Sequence, residues 1–175
     1  MHVKTLVLSA LILASGACMA EGQEAQLGGG DSIVIPDEWK VSKPQEGLPS
    51  QVSAMILIAG SKDGCGLRID SAGEQKQEDF KATTAQYDDY LSQLLATSGL
   101  KIKSQGASSE TKVAGFRALS KDFTLEIEGG EWGARVVQFN SKSRLYSAWL
   151  LAPSQASADK CFGSAGKVLE TFKSR

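Results

Sequence analysis

The segment that most constrains this chain is Leu145-Tyr146-Ser147-Ala148-Trp149-Leu150-Leu151-Ala152, eight residues whose two alternating sets are both largely apolar. Successive side chains of a strand point to opposite faces, so neither face of this one can be left in water. It must belong to a sheet covered on both sides. The preceding residues supply strands for it to join. Phe116 to Glu128 meets Glu131 to Asn140 across Gly129-Gly130, glycines that tolerate the positive φ of a two-residue hairpin turn. That turn sets Ile127 against Trp132, Leu125 against Ala134 and Phe123 against Val136. A slip of one residue would send every one of these side chains to the wrong face.

Upstream, Ser32 to Ile35 is a short strand closed by Pro36, and Trp39 and Val41 alternate with polar neighbours. Lys43 to Ser50 carries Pro and Gly and is a loop. Val52 to Ala59 and Cys65 to Asp70 form a second hairpin around Gly60 to Gly64. Between Glu78 and Thr97 the period changes: Phe80, Thr84, Tyr87, Leu91, Leu94 and Leu95 share one helical face, while Lys81, Gln86, Asp88, Asp89 and Gln93 face away. Ser98-Gly99 stops that helix. Leu100 to Lys103 is a brief strand. Cys161, Ala165, Val168, Leu169 and Phe172 form the inward stripe of a closing helix over Ala156 to Lys173. Within it, Gly163 and Gly166 each cost about 1 kcal/mol against Ala unless they let the helix approach the sheet.

The N-terminal twenty residues are of another kind. Lys4, the apolar run from Leu6 to Ala14 and the small residues up to Ala20 match a secretory signal peptide, residues 1–20, with cleavage after Ala20. The run is too short to span a bilayer comfortably. Cleavage after Ala17 is the competing reading; Cys18 would then begin the mature chain and carry a lipid anchor, although Ser15-Gly16-Ala17-Cys18 departs from a lipobox of the Leu-Ala-Gly-Cys kind. Residues 21–30, ending in Gly28-Gly29-Gly30, have no apolar periodicity and read as a flexible linker, leaving 31–175 as a single domain. These three glycines lack the spacing and the preceding strand of a dinucleotide loop.

Export decides much of the chemistry. His2, the single histidine, leaves with the signal, and with it the imidazole of Ser-His-Asp or Cys-His catalysis and the commonest zinc ligand. With Lys4 also gone, the 19 basic residues become 18 against 20 acidic ones, a balance with no basic field for nucleic acid. Cys65 and Cys161 remain. In an oxidising compartment a lone pair is more readily bridged than free, the other reading being two separate buried thiols.

Catalytic motifs fare poorly. Ser98, Ser109, Ser157 and Ser164 each stand three residues before a lysine, a spacing that a serine- and lysine-rich chain produces by chance, and no Lys-Thr-Gly partner follows. Asp88 and Asp89 are adjacent on a helix and point about 100° apart, a poor acid/base pair. No calcium loop is present. Trp39, Trp132 and Trp149 fall in apolar strand patterns and read as core. Tyr87 reads as packing at the core rim. The polarised feature is Glu126, Glu128 and Glu131 around the hairpin turn, a candidate contact for a basic partner against the plainer reading of solvated carboxylates. The loops Ser42 to Gln51 and Gly60 to Gly64 are further contact candidates. A small apolar ligand between sheet and helix is left open.

The element order resembles that of the PsbP/Mog1-like superfamily, and within it the small bacterial envelope proteins of the DcrB type. The likeness rests on Ile33-Val34-Ile35-Pro36-Asp37-Glu38-Trp39, Val113-Ala114-Gly115-Phe116-Arg117-Ala118, Arg144-Leu145-Tyr146 and Lys167-Val168-Leu169-Glu170-Thr171-Phe172-Lys173, and covers about Asp31 to Lys173. It implies an α+β fold, an α/β/α sandwich around a central antiparallel sheet of about six or seven strands, with one helix mid-chain and one at the C-terminus. It also implies a non-enzymatic role in binding or assembly. The expected function is an exported periplasmic binding or adaptor protein that contacts an envelope protein. It needs no cofactor and no metal, and its mature chain has no transmembrane span. The alternative is an immunity-type inhibitor of a secreted toxin. Cleavage after Ala20 predicts an intact envelope form beginning at Glu21; a mass that includes Cys18 with diacylglycerol would establish the anchored form instead.

Overall fold

A computed structural model describes residues 22–42, 54–74 and 80–175. The signal segment with Cys18 and positions 43–51 of the contact loop lie outside the described residues. Among the described residues, ten strands and two α-helices run in the order β1 (Gly22–Gly28), β2 (Asp31–Pro36), β3 (Trp39–Ser42), β4 (Ala54–Ser61), β5 (Gly66–Glu74), α1 (Thr84–Ser98), β6 (Lys101–Gln105), β7 (Ser109–Val113), β8 (Phe116–Ile127), β9 (Gly130–Asn140), β10 (Arg144–Ala152) and α2 (Ala158–Leu169). The main sheet is antiparallel and eight-stranded, in the order β3-β4-β5-β10-β9-β8-β6, with β7 also pairing β8. This is larger than the expected six or seven strands. The difference comes from the length of β8, twelve residues that pair with β6 at one end and β7 at the other.

Strand β10 is buried on both faces, as its composition requires. Ala148 and Leu150 join Leu67, Ile69, Val137 and Phe139 in one core beneath α2, which contributes Cys161, Phe162, Ala165, Val168 and Leu169. Trp149 turns the other way, into a second core with Leu119, Leu125, Ala134 and Val136 beneath Tyr87, Leu91 and Leu95 of α1. The sheet therefore carries a helix on each face.

Residues 22–28, expected to be a flexible linker, form a strand. β1 pairs antiparallel with β2, and Gly28, Gly29 and Gly30 take φ of 91°, 64° and 90° to turn the chain between them. Glycine-rich composition signals a tether and a tight turn equally, and what separates them here is burial: Leu27, Ile33 and Ile35 all sit in the α2-side core. Ser32 and Lys173 exchange backbone hydrogen bonds of 2.9 and 2.8 Å, which closes the chain end onto this hairpin.

The β8–β9 hairpin has the expected faces but a different register. Its turn residues are Glu128 (φ 51°) and Gly129 (φ 78°), so that Ile127 pairs with Gly130, Leu125 with Trp132 and Phe123 with Ala134. The shift spans two positions, which preserves the side-chain alternation. It brings Asp122 opposite Arg135, whose Nε and Nη2 donate to the carboxylate at 2.6 and 2.8 Å; the expected register would have set Asp122 against Val137. The observed register thus gains a bidentate pair and sets Glu128, a non-glycine residue, at positive φ.

Helix α1 begins on a capping box. Gln86 N–H donates to Thr83 Oγ1 (3.2 Å), Thr83 N–H donates to Gln86 Oε1 (2.9 Å), and Gly99 ends the helix at φ 72°. Helix α2 is shorter than expected, with a 3-10 turn at Gln155–Ser157 before it and Phe172 packed beyond its end. A Cβ at Gly163 or Gly166 would meet nothing within 4 Å, so neither glycine serves to bring the helix closer to the sheet.

Cys65 and Cys161 are bridged, with Cα atoms 5.1 Å apart across a sequence separation of 96. The bond ties α2 to the start of β5. For a closed loop of this length the chain-entropy model assigns about 4 to 5 kcal/mol. Reduction should therefore lower the urea midpoint by an amount equivalent to several kcal/mol while the folded circular dichroism spectrum persists in water; an unchanged midpoint would remove the bridge from the stability account.

Candidate binding site

Both faces of the sheet carry open space beside packed core. On the α2 face, Phe116, Phe139, Tyr146 and Phe172 pack ring against ring with centroids 5.1 to 5.7 Å apart. On the α1 face a cavity of about 290 Å³ remains between the helix and the strands. Its walls are Leu94 of α1, Leu100 after it, Leu125 and Ile127 of β8, and Trp149 and Leu151 of β10. Arg68 and Asp70 of β5, Tyr90 of α1 and Ser147 of β10 complete it.

Strand alternation places these polar groups. Leu67 and Ile69 point to the α2 core, so Arg68 and Asp70 face α1; in β10 the same rule turns Ser147, Trp149 and Leu151 toward the cavity. Asp70 is 3% exposed and accepts a hydrogen bond from Arg68 Nε at 2.8 Å. Burial pushes its carboxyl above the usual carboxylate range, and the hydrogen bond and charge of Arg68 offset this only in part. Burial likewise raises the Tyr90 phenol; the adjacent Ser147 hydroxyl opposes that shift and the Asp70 charge adds to it. Ser147 is also 3% exposed. Its Oγ lies beside the Tyr90 phenol but outside hydrogen-bond geometry and has no partner. An apolar enclosure with a few inward polar groups is the usual form of a small-molecule site.

The residues singled out in sequence lie elsewhere. Lys101 Nζ approaches Glu126 at 3.2 Å and Lys103 Nζ approaches Glu131 at 2.8 Å, both pairs exposed, while Glu128 occupies the turn. The hairpin end is thus a mixed-charge surface. Asp88, expected to face water, accepts from Lys121 Nζ and Ser108 Oγ, both at 2.5 Å, and these hydrogen bonds hold its carboxyl below the usual range. Lys121 is 7% exposed, so the pair fastens α1 to β8. Tyr87 is fully buried and donates its hydroxyl to the Val136 carbonyl at 2.8 Å, placing it in the core rather than at its rim. Trp39 is buried in the α2-side core and Trp132 packs against the α1-side core, as expected, whereas Trp149 forms both core and cavity wall. The sequence reading passed over Asp70, Tyr90 and Ser147. Ser147 carried a usable signal, being the one short polar side chain in the middle of a strand apolar on both faces.

No family model matches the chain, and no curated protein matches it. Solved structures do. The fold is PsbP-like. The solution structure of cyanobacterial PsbP (CyanoP) from Synechocystis covers 94% of this chain and 99% of its own at a TM-score of 0.58, with 12% identity. LpqN of Mycobacterium tuberculosis, described as involved in cell envelope biogenesis, covers 87% and 84% at 0.53 and 12%. A protein from Bacteroides thetaiotaomicron covers 88% of this chain and 48% of its own at 0.54 and 16%.

Asp70 yields a stability prediction of definite sign. A carboxyl raised in the folded state makes that state bind the more protons, so stability falls as pH rises from the unfolded pKa through the folded one, and the penalty persists above. Asp70→Asn should therefore be more stable than the parent at pH 7, with the gain gone near pH 3. Urea titrations at both pH values measure it; an Asn variant less stable at pH 7 would contradict the stated balance.

Proposed function

We propose that this chain is an exported, non-enzymatic binding or adaptor protein of the bacterial periplasm, of the DcrB type among PsbP/Mog1-like proteins, acting through contacts with an envelope protein. The observation that carries this reading is the PsbP-like sandwich joined to a Cys65–Cys161 bridge, since a structural disulfide belongs to an oxidising compartment. LpqN, which shares the fold, is described as involved in cell envelope biogenesis, and this supports the same placement. Among the described residues no helix is long and apolar enough to cross a membrane.

For the contact surface we take the β8–β9 hairpin end. Glu126, Glu128 and Glu131 stand there beside Lys101 and Lys103 of β6, an arrangement that would orient a partner of complementary charge pattern. Converting all three glutamates to Lys removes both ion pairs and sets five lysines together. These pairs are exposed, so the change should leave the fold intact.

Affinity capture from envelope extract, read by mass spectrometry, tests the proposal. The parent should retain a reproducible envelope partner, and the Glu126→Lys, Glu128→Lys, Glu131→Lys triple variant should retain roughly tenfold less of it, with the parent's binding weakening as salt rises. Equal capture with equal salt dependence would exclude the hairpin end as the contact.

A further inference from the structure

The cavity beneath α1 has features that core packing alone does not require. Its walls are aliphatic and aromatic, yet two solvent-excluded polar groups point into it from neighbouring strands, Ser147 from β10 and Asp70 from β5. The Ser147 Oγ forms no well-aligned hydrogen bond, its contact with the Tyr90 phenol falling outside that geometry, and a buried hydroxyl in that condition is costly to keep. Asp70 is partnered, among the described residues, by Arg68 alone, through one carboxylate oxygen. A guest would supply what both groups lack.

The chemistry of these groups selects the guest. An ionised carboxylate only accepts hydrogen bonds, so the guest must donate to Asp70; a serine hydroxyl donates or accepts. An anionic head would meet Asp70 with no uncommitted cation among the described lining residues, since Arg68 is held by that same carboxylate. A cationic head would meet the Arg68 charge. A neutral hydroxyl satisfies both polar groups without adding charge to an apolar space. The volume, about 290 Å³, holds about ten groups the size of a water molecule.

We propose that the cavity between α1 and the central sheet binds a neutral amphiphile, with an apolar tail of about eight carbons against Leu94, Leu125 and Trp149 and a hydroxyl head between Ser147 and Asp70. This site is separate from the hairpin-end carboxylates, and the inference does not rest on a protein partner. Its failure would leave the contact reading intact, and the reverse holds too.

Isothermal titration of the mature protein with 1-octanol, octanoate and octylammonium at pH 7.5 tests it. One saturable site is expected for 1-octanol, with each charged analogue at least tenfold weaker. Ser147→Ala should fold as the parent does, because it deletes an unpartnered hydroxyl, and should bind 1-octanol about fivefold more weakly. Asp70→Asn should narrow the preference for the alcohol over octanoate. Ile127→Trp, made at a half-buried wall position, should abolish binding with the thermal transition retained. If that variant loses its transition, Leu151→Trp, also at a half-buried wall position, takes its place in the same test. Absence of a saturable 1-octanol heat up to its solubility limit would overturn the proposal, as would binding that neither Ser147→Ala nor the folded tryptophan variant reduces. Equal affinity for octanoate would overturn the hydroxyl-head assignment.

Discussion

The structure depends on strand β10 being desolvated on both faces. An eight-residue segment with apolar side chains in both alternating sets cannot lie at a surface, and covering it takes two separate layers. Helix α2 and the β1–β2 hairpin form one layer and α1 forms the other, so every element outside the main sheet is placed by what β10 has to bury. The two cores on either side share the sheet backbone and otherwise differ in how they are closed.

On the α2 side the closure is covalent. The Cys65–Cys161 bridge fixes α2 to β5, four aromatic rings pack together in that core, and Lys173 is stitched to β2 through Ser32. Helix α1 has no such cross-link. Among its contacts are the Tyr87 hydroxyl on the Val136 carbonyl and Asp88 on the buried Lys121, one on its inner face and one at its edge. These fastenings act near the start of the helix. The cavity lies farther along it, where Leu94 and Leu100 close over Trp149.

The polar groups of that cavity follow from the arithmetic of strand faces. Arg68 and Asp70 alternate with Leu67 and Ile69, which are needed by the α2 core, so the opposite positions had to face α1. The surface charges obey a different logic. Glu126 sits directly opposite Glu131 in the β8–β9 ladder, a like-charge juxtaposition that Lys101 and Lys103 of the neighbouring strand offset.

Much of the fold was legible because it rests on local periodicities. The helix stripe of Tyr87, Leu91 and Leu95, the stop at Gly99, the alternation of β8 and β9 and the double-faced β10 are written in residue spacing, and burial simply follows them. The two cysteines outside the expected signal segment likewise pointed to the bridge. What spacing could not decide was the choice between arrangements of equal local merit. Gly28-Gly29-Gly30 serves a tether or a turn equally well, until Leu27 finds a core to enter. The β8–β9 hairpin keeps its faces in either of two registers, and the one adopted sets Asp122 opposite Arg135. Above all, Asp70, Tyr90 and Ser147 come from three elements far apart in the chain, and only packing α1 across β5 and β10 brings them to one cavity. Local sequence determines which face a side chain occupies, through the fixed period of strand and helix; which distant faces meet is decided by the burial of the whole.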